Sequence, residues 1–189
     1  MRKSVFPLAL AIGMLALSGC NGQNQARKDA AKGSEAVKQA GDKTIAAGLD
    51  KNSDFFKAAK AAGLDATLAG PGPYTVIVPD DAAFNKLPQG TFDNWLKPQS
   101  RAQLTRVMTY HILPGTVLAA DIGKAIDDGK GKAVLATMGG GTLTATREGD
   151  KIILTDGEGH KAAMAATDET LANGVIHRVD TVLMPGKTA

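Results

Sequence analysis

Tyr74-Thr75-Val76-Ile77-Val78-Pro79-Asp80-Asp81-Ala82-Ala83-Phe84 holds a strand, a stop and a helix start in one short stretch. The β-branched and aromatic run from Tyr74 to Val78 favours extended chain, and Pro79 removes an amide that a ladder would need. Asp80 then supplies a side-chain acceptor for the free amides of a helix start, with Phe84 and Leu87 on one face. A second informative stretch lies near the C-terminus: Asn173-Gly174-Val175-Ile176-His177-Arg178-Val179-Asp180-Thr181-Val182-Leu183-Met184-Pro185. It reads as an Asn-Gly turn feeding a β-branched strand. Tyr110-His111 falls between the two.

Working outward, residues 42–50 and 53–62 have helical spacing, with Phe55, Phe56, Ala59 and Ala62 recurring and Gly63 where a C-cap belongs. Gly70-Pro71-Gly72-Pro73 breaks the chain before the first strand. After it come a short helix with Trp95 and a longer one through Thr109, which Pro98 opens and which points Leu104, Val107 and Met108 inward. The chain is then predicted to extend at Tyr110-His111-Ile112-Leu113. From Val117 onward the pattern reads mostly as short strands, at 133–137, 142–146, 151–154, 161–166 and 175–180, punctuated by glycine turns. Helices first and strands second, without βαβ alternation, point to the α+β class.

The wording, order and spacing of the two stretches, with Tyr110-His111 between them, resemble the fasciclin domain, whose two signature boxes flank a central Tyr-His pair. The likeness runs from about Asp42 to Pro185. It implies a fasciclin-like β-wedge or sandwich of short, largely antiparallel strands decorated by N-terminal helices. It also implies a role in adhesion and extracellular binding, with no shared catalytic centre.

At the N-terminus, Arg2 and Lys3 precede an uncharged apolar run from Val5 to Leu17, which ends in Leu17-Ser18-Gly19-Cys20. A bilayer span needs about 20 apolar residues, so this shorter run reads as a signal-peptide core. Leu-Ser-Gly-Cys is similar to a bacterial lipobox, which implies cleavage before Cys20 and lipid on its sulfur and new amino group. An ordinary secretory signal is the alternative. Cys20 is the only cysteine, so its acylation leaves no thiol for a disulfide. Each buried acyl CH₂ contributes about 0.8 kcal/mol, and two or three chains anchor a protein firmly. Asn21, in place of the aspartate associated with inner-membrane retention, implies the outer membrane. Residues 1–19 therefore read as a lipoprotein signal peptide and 20–40 as a lipidated N-terminus with a flexible tether. Residues 41–186 read as the domain. The expected location is the bacterial cell envelope, lipid-anchored at the outer membrane, on its periplasmic or surface face.

Without residues 1–19 the formal charge falls from +3 to +1, with 20 Lys and Arg against 19 Asp and Glu. So small a charge steers the chain toward neither nucleic acid nor anionic surfaces, and no nucleic-acid partner is expected.

His111 invites a general-base reading, but no serine or cysteine stands in a strained elbow and no nearby acid is placed to orient its ring. A buried, hydrogen-bonded histidine is the expectation. His177 alternates with Val175 and Val179 on one side of a strand. A zinc site of His111, His160 and His177 lacks ligand-pair spacing. Asp156, Glu158 and His160 surround glycines and read as a polar hairpin tip. Asp127-Asp128-Gly129-Lys130-Gly131 lacks the ligand ladder of a calcium loop and reads as a solvated turn. Gly139-Gly140-Gly141 lacks the ending of a phosphate cradle. No metal and no cofactor are expected. In animal members of the family, integrin adhesion is associated with an Asp-Ile pair before the Asn-Gly turn. The matching residues here are Asp168-Glu169, which keep the acid and lose the apolar neighbour. Lipidation is expected at Cys20, and Tyr110, His111 and Asp168 are the candidate residues for binding, directly or by supporting the surface. The expected function is a membrane-anchored, non-enzymatic binding module for a matrix polysaccharide or a surface protein. The alternative is a periplasmic carrier or sensor of a small apolar ligand held between helices and sheet.

Overall fold

The computed structural model describes residues 42–186. Cys20 and the segments read as signal peptide and tether lie outside the described residues. The helices of the first half are α1 (Ile45–Gly48), α2 (Asp54–Ala62), α3 (Asp65–Ala69), α4 (Asp81–Asn85), α5 (Thr91–Trp95) and α6 (Arg101–Tyr110). Strand β1 (Tyr74–Pro79) runs between α3 and α4, and β2 (Ile112–Pro114) follows α6. The second half comprises α7 (Ala119–Asp128), β3 (Lys132–Ala136), β4 (Thr142–Glu148), β5 (Lys151–Thr155), β6 (Lys161–Leu171) and β7 (Gly174–Val179).

Local chemistry accounts for several of these boundaries. Ser53 Oγ accepts the Phe56 amide at 3.2 Å to open α2, and Gly63 closes it in the left-handed region at φ 78°. Asp80 Oδ1 accepts the Ala83 amide at 2.7 Å, as its position before α4 implies. Asp81 does something else: its carboxylate accepts the Asp54 amide at 2.9 Å and joins the starts of α4 and α2.

The seven strands form one sheet in the order β2-β1-β7-β6-β5-β4-β3. All pairings are antiparallel except β1 with β7, which run parallel from Tyr74 opposite Gly174 to Pro79 opposite Val179. Strand β6 shifts register between Met164 and Glu169, so its first part pairs with β5 and its second with β7. This irregularity folds the sheet into a wedge.

Two cores result. On one face of β1 and β7, Val76, Val78 and Ile176 pack with Ile45, Phe55, Trp95, Leu104 and Met108 from the helices. On the other face, Ile77 and Val179 join Leu143, Leu154, Met164, Ile122 and Ile126 inside the wedge. Strands covered on both faces need a continuous apolar run, which is what Val76–Val78 supplies. Strands β3 and β4 instead bury alternate residues, because only one face meets the second core. The fold is α+β, a wedge of largely antiparallel strands with the first-half helices packed on one core and α7 on the other.

Two readings of the sequence are corrected. The stretch after Val117 holds helix α7, whose Ile122 and Ile126 sit one turn apart on the buried face. Asp127 and Asp128 close that helix, and only Gly129 to Gly131 form the turn. Gly123 inside α7 disfavours helix by about 1 kcal/mol relative to Ala. A Cβ there would lie 2.5 Å from Nη2 of Arg147 on β4, the far end of a flexible side chain. The second correction is at Tyr110-His111. Tyr110 ends α6, His111 caps it, and extended chain begins only at Ile112. Among the described residues no helix is long and apolar enough to cross a membrane.

Candidate functional site

Tyr110 and His111 lie at the junction of α6 with β2, both buried. The Tyr110 hydroxyl donates to Thr142 O at 2.6 Å and accepts the Gly157 amide at 3.0 Å, which ties α6 to β4 and to the β5–β6 turn. Burial raises the Tyr110 pKa above its ordinary value. Gly139 and Gly141 wrap this residue: a Cβ on Gly139 would lie 2.9 Å from the Tyr110 amide nitrogen, and one on Gly141 would lie 2.7 Å from its ring. The glycine triplet thus allows backbone to approach an aromatic side chain.

Both ring nitrogens of His111 are used. Nδ1 lies 2.8 Å from Val107 O and donates to it, so Nε2 is the acceptor for the Leu183 amide at 3.1 Å. Phe55 meets the imidazole edge-on, with ring centroids 6.3 Å apart. Burial is the main cause that lowers the His111 pKa to about 4, against smaller favourable effects of Val107 O and Asp156. The ring is a neutral bridge from α6 to the C-terminal segment.

His177 does the same job with the opposite tautomer. Nε2 donates to Val117 O at 2.8 Å, and Nδ1 accepts the Asp168 amide at 3.1 Å. Its pKa is also lowered, chiefly by burial. Asp168 sits in the left-handed region at φ 61°, within the irregular part of β6. Its carboxylate accepts the Ala119 amide at 2.8 Å, at the first turn of α7. Glu169 pairs with Arg178 across the strands at 3.1 Å, which gives its charge a partner where an apolar residue would have none. Nearby, Thr116 Oγ1 is buried without a hydrogen-bond partner.

The candidate residues therefore fall into two groups. Tyr110 and His111 serve the end of α6, and Asp168 serves the start of α7. Two further residues matter more than their turn-like sequence suggested. Asp156, whose side chain is fully buried, accepts the Glu158 and His160 amides through Oδ1. Its Oδ2 accepts the Met184 amide at 2.7 Å and lies 3.0 Å from His160 Nδ1. The short-range bonds are legible in Asp-Gly-Glu-Gly, since aspartate commonly bonds amides just ahead of it. Asn173 is the second. Its Oδ1 accepts the Ile45 amide at 2.7 Å, and its Nδ2 donates to Leu68 O at 2.9 Å and Gly70 O at 2.8 Å.

Among the described residues no group of three or more His, Cys, Asp or Glu is arranged to hold a metal. His111 and His177 have both ring nitrogens committed to backbone. His160 is half exposed and oriented by Asp156, but the described serines, Ser53 and Ser100, stand at helix starts in the first half of the domain.

The fasciclin domain family model matches residues 50–185. Protein sll1483 of Synechocystis is 34% identical over 141 residues, which cover 75% of this chain and 71% of that protein. The cell surface glycolipoprotein MPB83 of Mycobacterium bovis is 34% identical over 119 residues, 63% of this chain and 46% of the relative. The immunogenic protein MPB70 of the same organism is 32% identical over 114 residues, 60% and 51% of the two chains. The chain thus spans about half the length of these mycobacterial relatives. Among solved structures, a FAS1 domain pair from the insect cell adhesion molecule fasciclin I aligns over 86% of this chain and 46% of that one, at 20% identity and a TM-score of 0.49. With the family match running from before β1 to the end of the segment that His111 and Asp156 hold, this chain belongs to the fasciclin domain family.

Proposed function

We propose that this protein is an extracytoplasmic adhesion module, held to the bacterial cell envelope by lipid on Cys20 and binding a macromolecule without turning it over. Family membership over residues 50–185 carries the reading, in a chain whose first twenty residues have the form of a lipoprotein signal. A mycobacterial relative that is named a cell surface glycolipoprotein supports an envelope location.

The arrangement of polar side chains favours binding over catalysis. Tyr110, His111, Asp156 and His177 direct their polar atoms at the backbone of distant segments, where each prevents an unsatisfied buried group. A base needs a lone pair aimed at substrate, and these four hold the frame instead. The binding surface is then the exterior that this frame keeps rigid, with a matrix polysaccharide or a surface protein as the ligand and the outer membrane as the site of display. Weak contacts by single domains add up when many copies share one surface, because effective concentration replaces affinity.

Deletion of the chain is expected to reduce surface attachment or biofilm cohesion, and Cys20→Ala is expected to reproduce the loss while the domain stays folded. Full restoration by an unanchored, secreted domain at native abundance overturns the display reading.

A further inference from the structure

Beyond adhesion, the interior suggests a response to acid. Residues 181–186 form a strap that leaves β7 and returns over the end of α6. Two side chains from different elements grip consecutive amides of it: His111 Nε2 takes Leu183 at 3.1 Å, and Asp156 Oδ2 takes Met184 at 2.7 Å. We propose that this strap is an acid-released latch, which opens when His111 is protonated while β1 and β7 remain paired.

Nδ1–H of His111 donates to Val107 O, so Nε2 is the ring's one acceptor and Leu183 occupies it. A proton on Nε2 turns that acceptor into a donor. Two N–H groups then face each other in a buried site, and neither has a partner. The neighbours cannot absorb the new charge. Helix α2 presents Phe55, α6 presents Val107, and β1 contributes Ile77, whose amide donates to His111 O at 2.8 Å. The β5–β6 turn contributes Asp156, the charged group that acts on the ring, and its attraction favours protonation. Both Asp156 oxygens are already committed to the Glu158, His160 and Met184 amides and the His160 ring. Burial prevails, and the closed ring titrates at about 4.

When the strap lifts, water reaches the ring, which then takes a proton near the ordinary value of 6.5. Linkage between those two values raises the opening constant about 20-fold from pH 7 to pH 5. Opening uncovers Val182 and Leu183, both buried in the closed form. It also removes Met184 and Pro185 from the wall of a hollow of about 250 Å³, whose remaining wall includes Val107 and the charged Arg106 and Glu158.

Amide hydrogen exchange on the full chain at pH 7, 6 and 5, corrected for intrinsic rates, tests the latch. Leu183 and Met184 are expected to exchange through an opening of lower free energy than Val76 and Ile176 at every pH and to lose protection about 20-fold from pH 7 to pH 5, and His111→Gln is expected to abolish that loss. Unchanged strap protection overturns the proposal. So does exchange of all four amides through one common opening free energy, which assigns the acid response to global unfolding, or persistence of the effect in His111→Gln. If that variant fails to fold, ¹⁵N titration of the wild-type ring decides: the Leu183 amide shift must follow the His111 midpoint, and a different midpoint overturns the latch.

Discussion

Asn173 and the His111–Asp156 pair hold the two ends of β7 and use different chemistry to do it. Just before the strand, one carboxamide meets two carbonyls and one amide from the α1 and α3 region. Just after it, an imidazole and a carboxylate meet two amides of the strap. Both seams satisfy buried backbone over long sequence separations. Only the second can change its protonation, so acid loosens the end of the chain and leaves the junction of helices and sheet alone. A carboxamide fixes a joint; an imidazole makes it conditional.

The largest expected effect comes from making the first seam titrate. Asn173→Asp keeps the shape and points a carboxylate at Leu68 O and Gly70 O in place of two donors. We expect a loss of about 3–5 kcal/mol at pH 7, read from the denaturant midpoint. Burial raises the pKa of such a carboxyl, so the variant should recover stability as pH falls toward it, opposite to the wild type. Equal loss at pH 7 and pH 5 would show that the seam does not sense charge.

Acid unfolding of the wild type comes next. His111 is neutral when folded, with a pKa of about 4, and takes a proton near 6.5 when unfolded. Its contribution is fully present above 6.5, declines as pH falls, and levels off near 4. The loss from pH 7 to pH 4 is about 3 kcal/mol, and His177, also lowered, adds to it in the same direction. Urea melts across this range check the slope; a flat profile between pH 6.5 and 4 contradicts it.

His111→Ala is smaller in effect at neutral pH, since it strands Val107 O and the Leu183 amide for about 1–3 kcal/mol. It should also flatten the acid slope, leaving only the part due to His177. Smallest is Thr116→Val, which replaces a partnerless buried hydroxyl with a methyl. We expect a change within about 0.5 kcal/mol or a slight gain, and a loss above 1 kcal/mol would mean that Oγ1 has a partner.

The parts of the fold legible in the sequence are those fixed by neighbours along the chain. Ser53, Gly63 and Asp80 mark helix ends through bonds to amides or carbonyls a few residues away, and Tyr74–Val78 declares itself a strand by side-chain shape. Helix α7 did not, because its interior Gly123 disfavours helix and its Asp168 contact comes from β6. The parallel pairing of β1 with β7 was equally hidden, although the unbroken apolar run at Val76–Val78 carries its trace. The same rule holds for the candidate site. That His111 is buried and bonded followed from its surroundings, but nothing along the chain names Leu183 as its partner. Asn173 looked like turn punctuation because Asn-Gly is common there, and its three bonds reach residues in the first half of the chain.

The last strand in sequence is a central strand in space. A chain that emerges N-terminus first must leave the edge of β1 bare, and the apolar faces on both sides of it open, until Gly174–Val179 arrives and slots between β1 and β6. β1–β2 and β3–β6 can each pair earlier, but the sheet joins them only when β7 is made. Such a topology delays completion of the sheet until residues 174–179 have been made. Removal of the final strand would leave β1 and β6 with no strand between them.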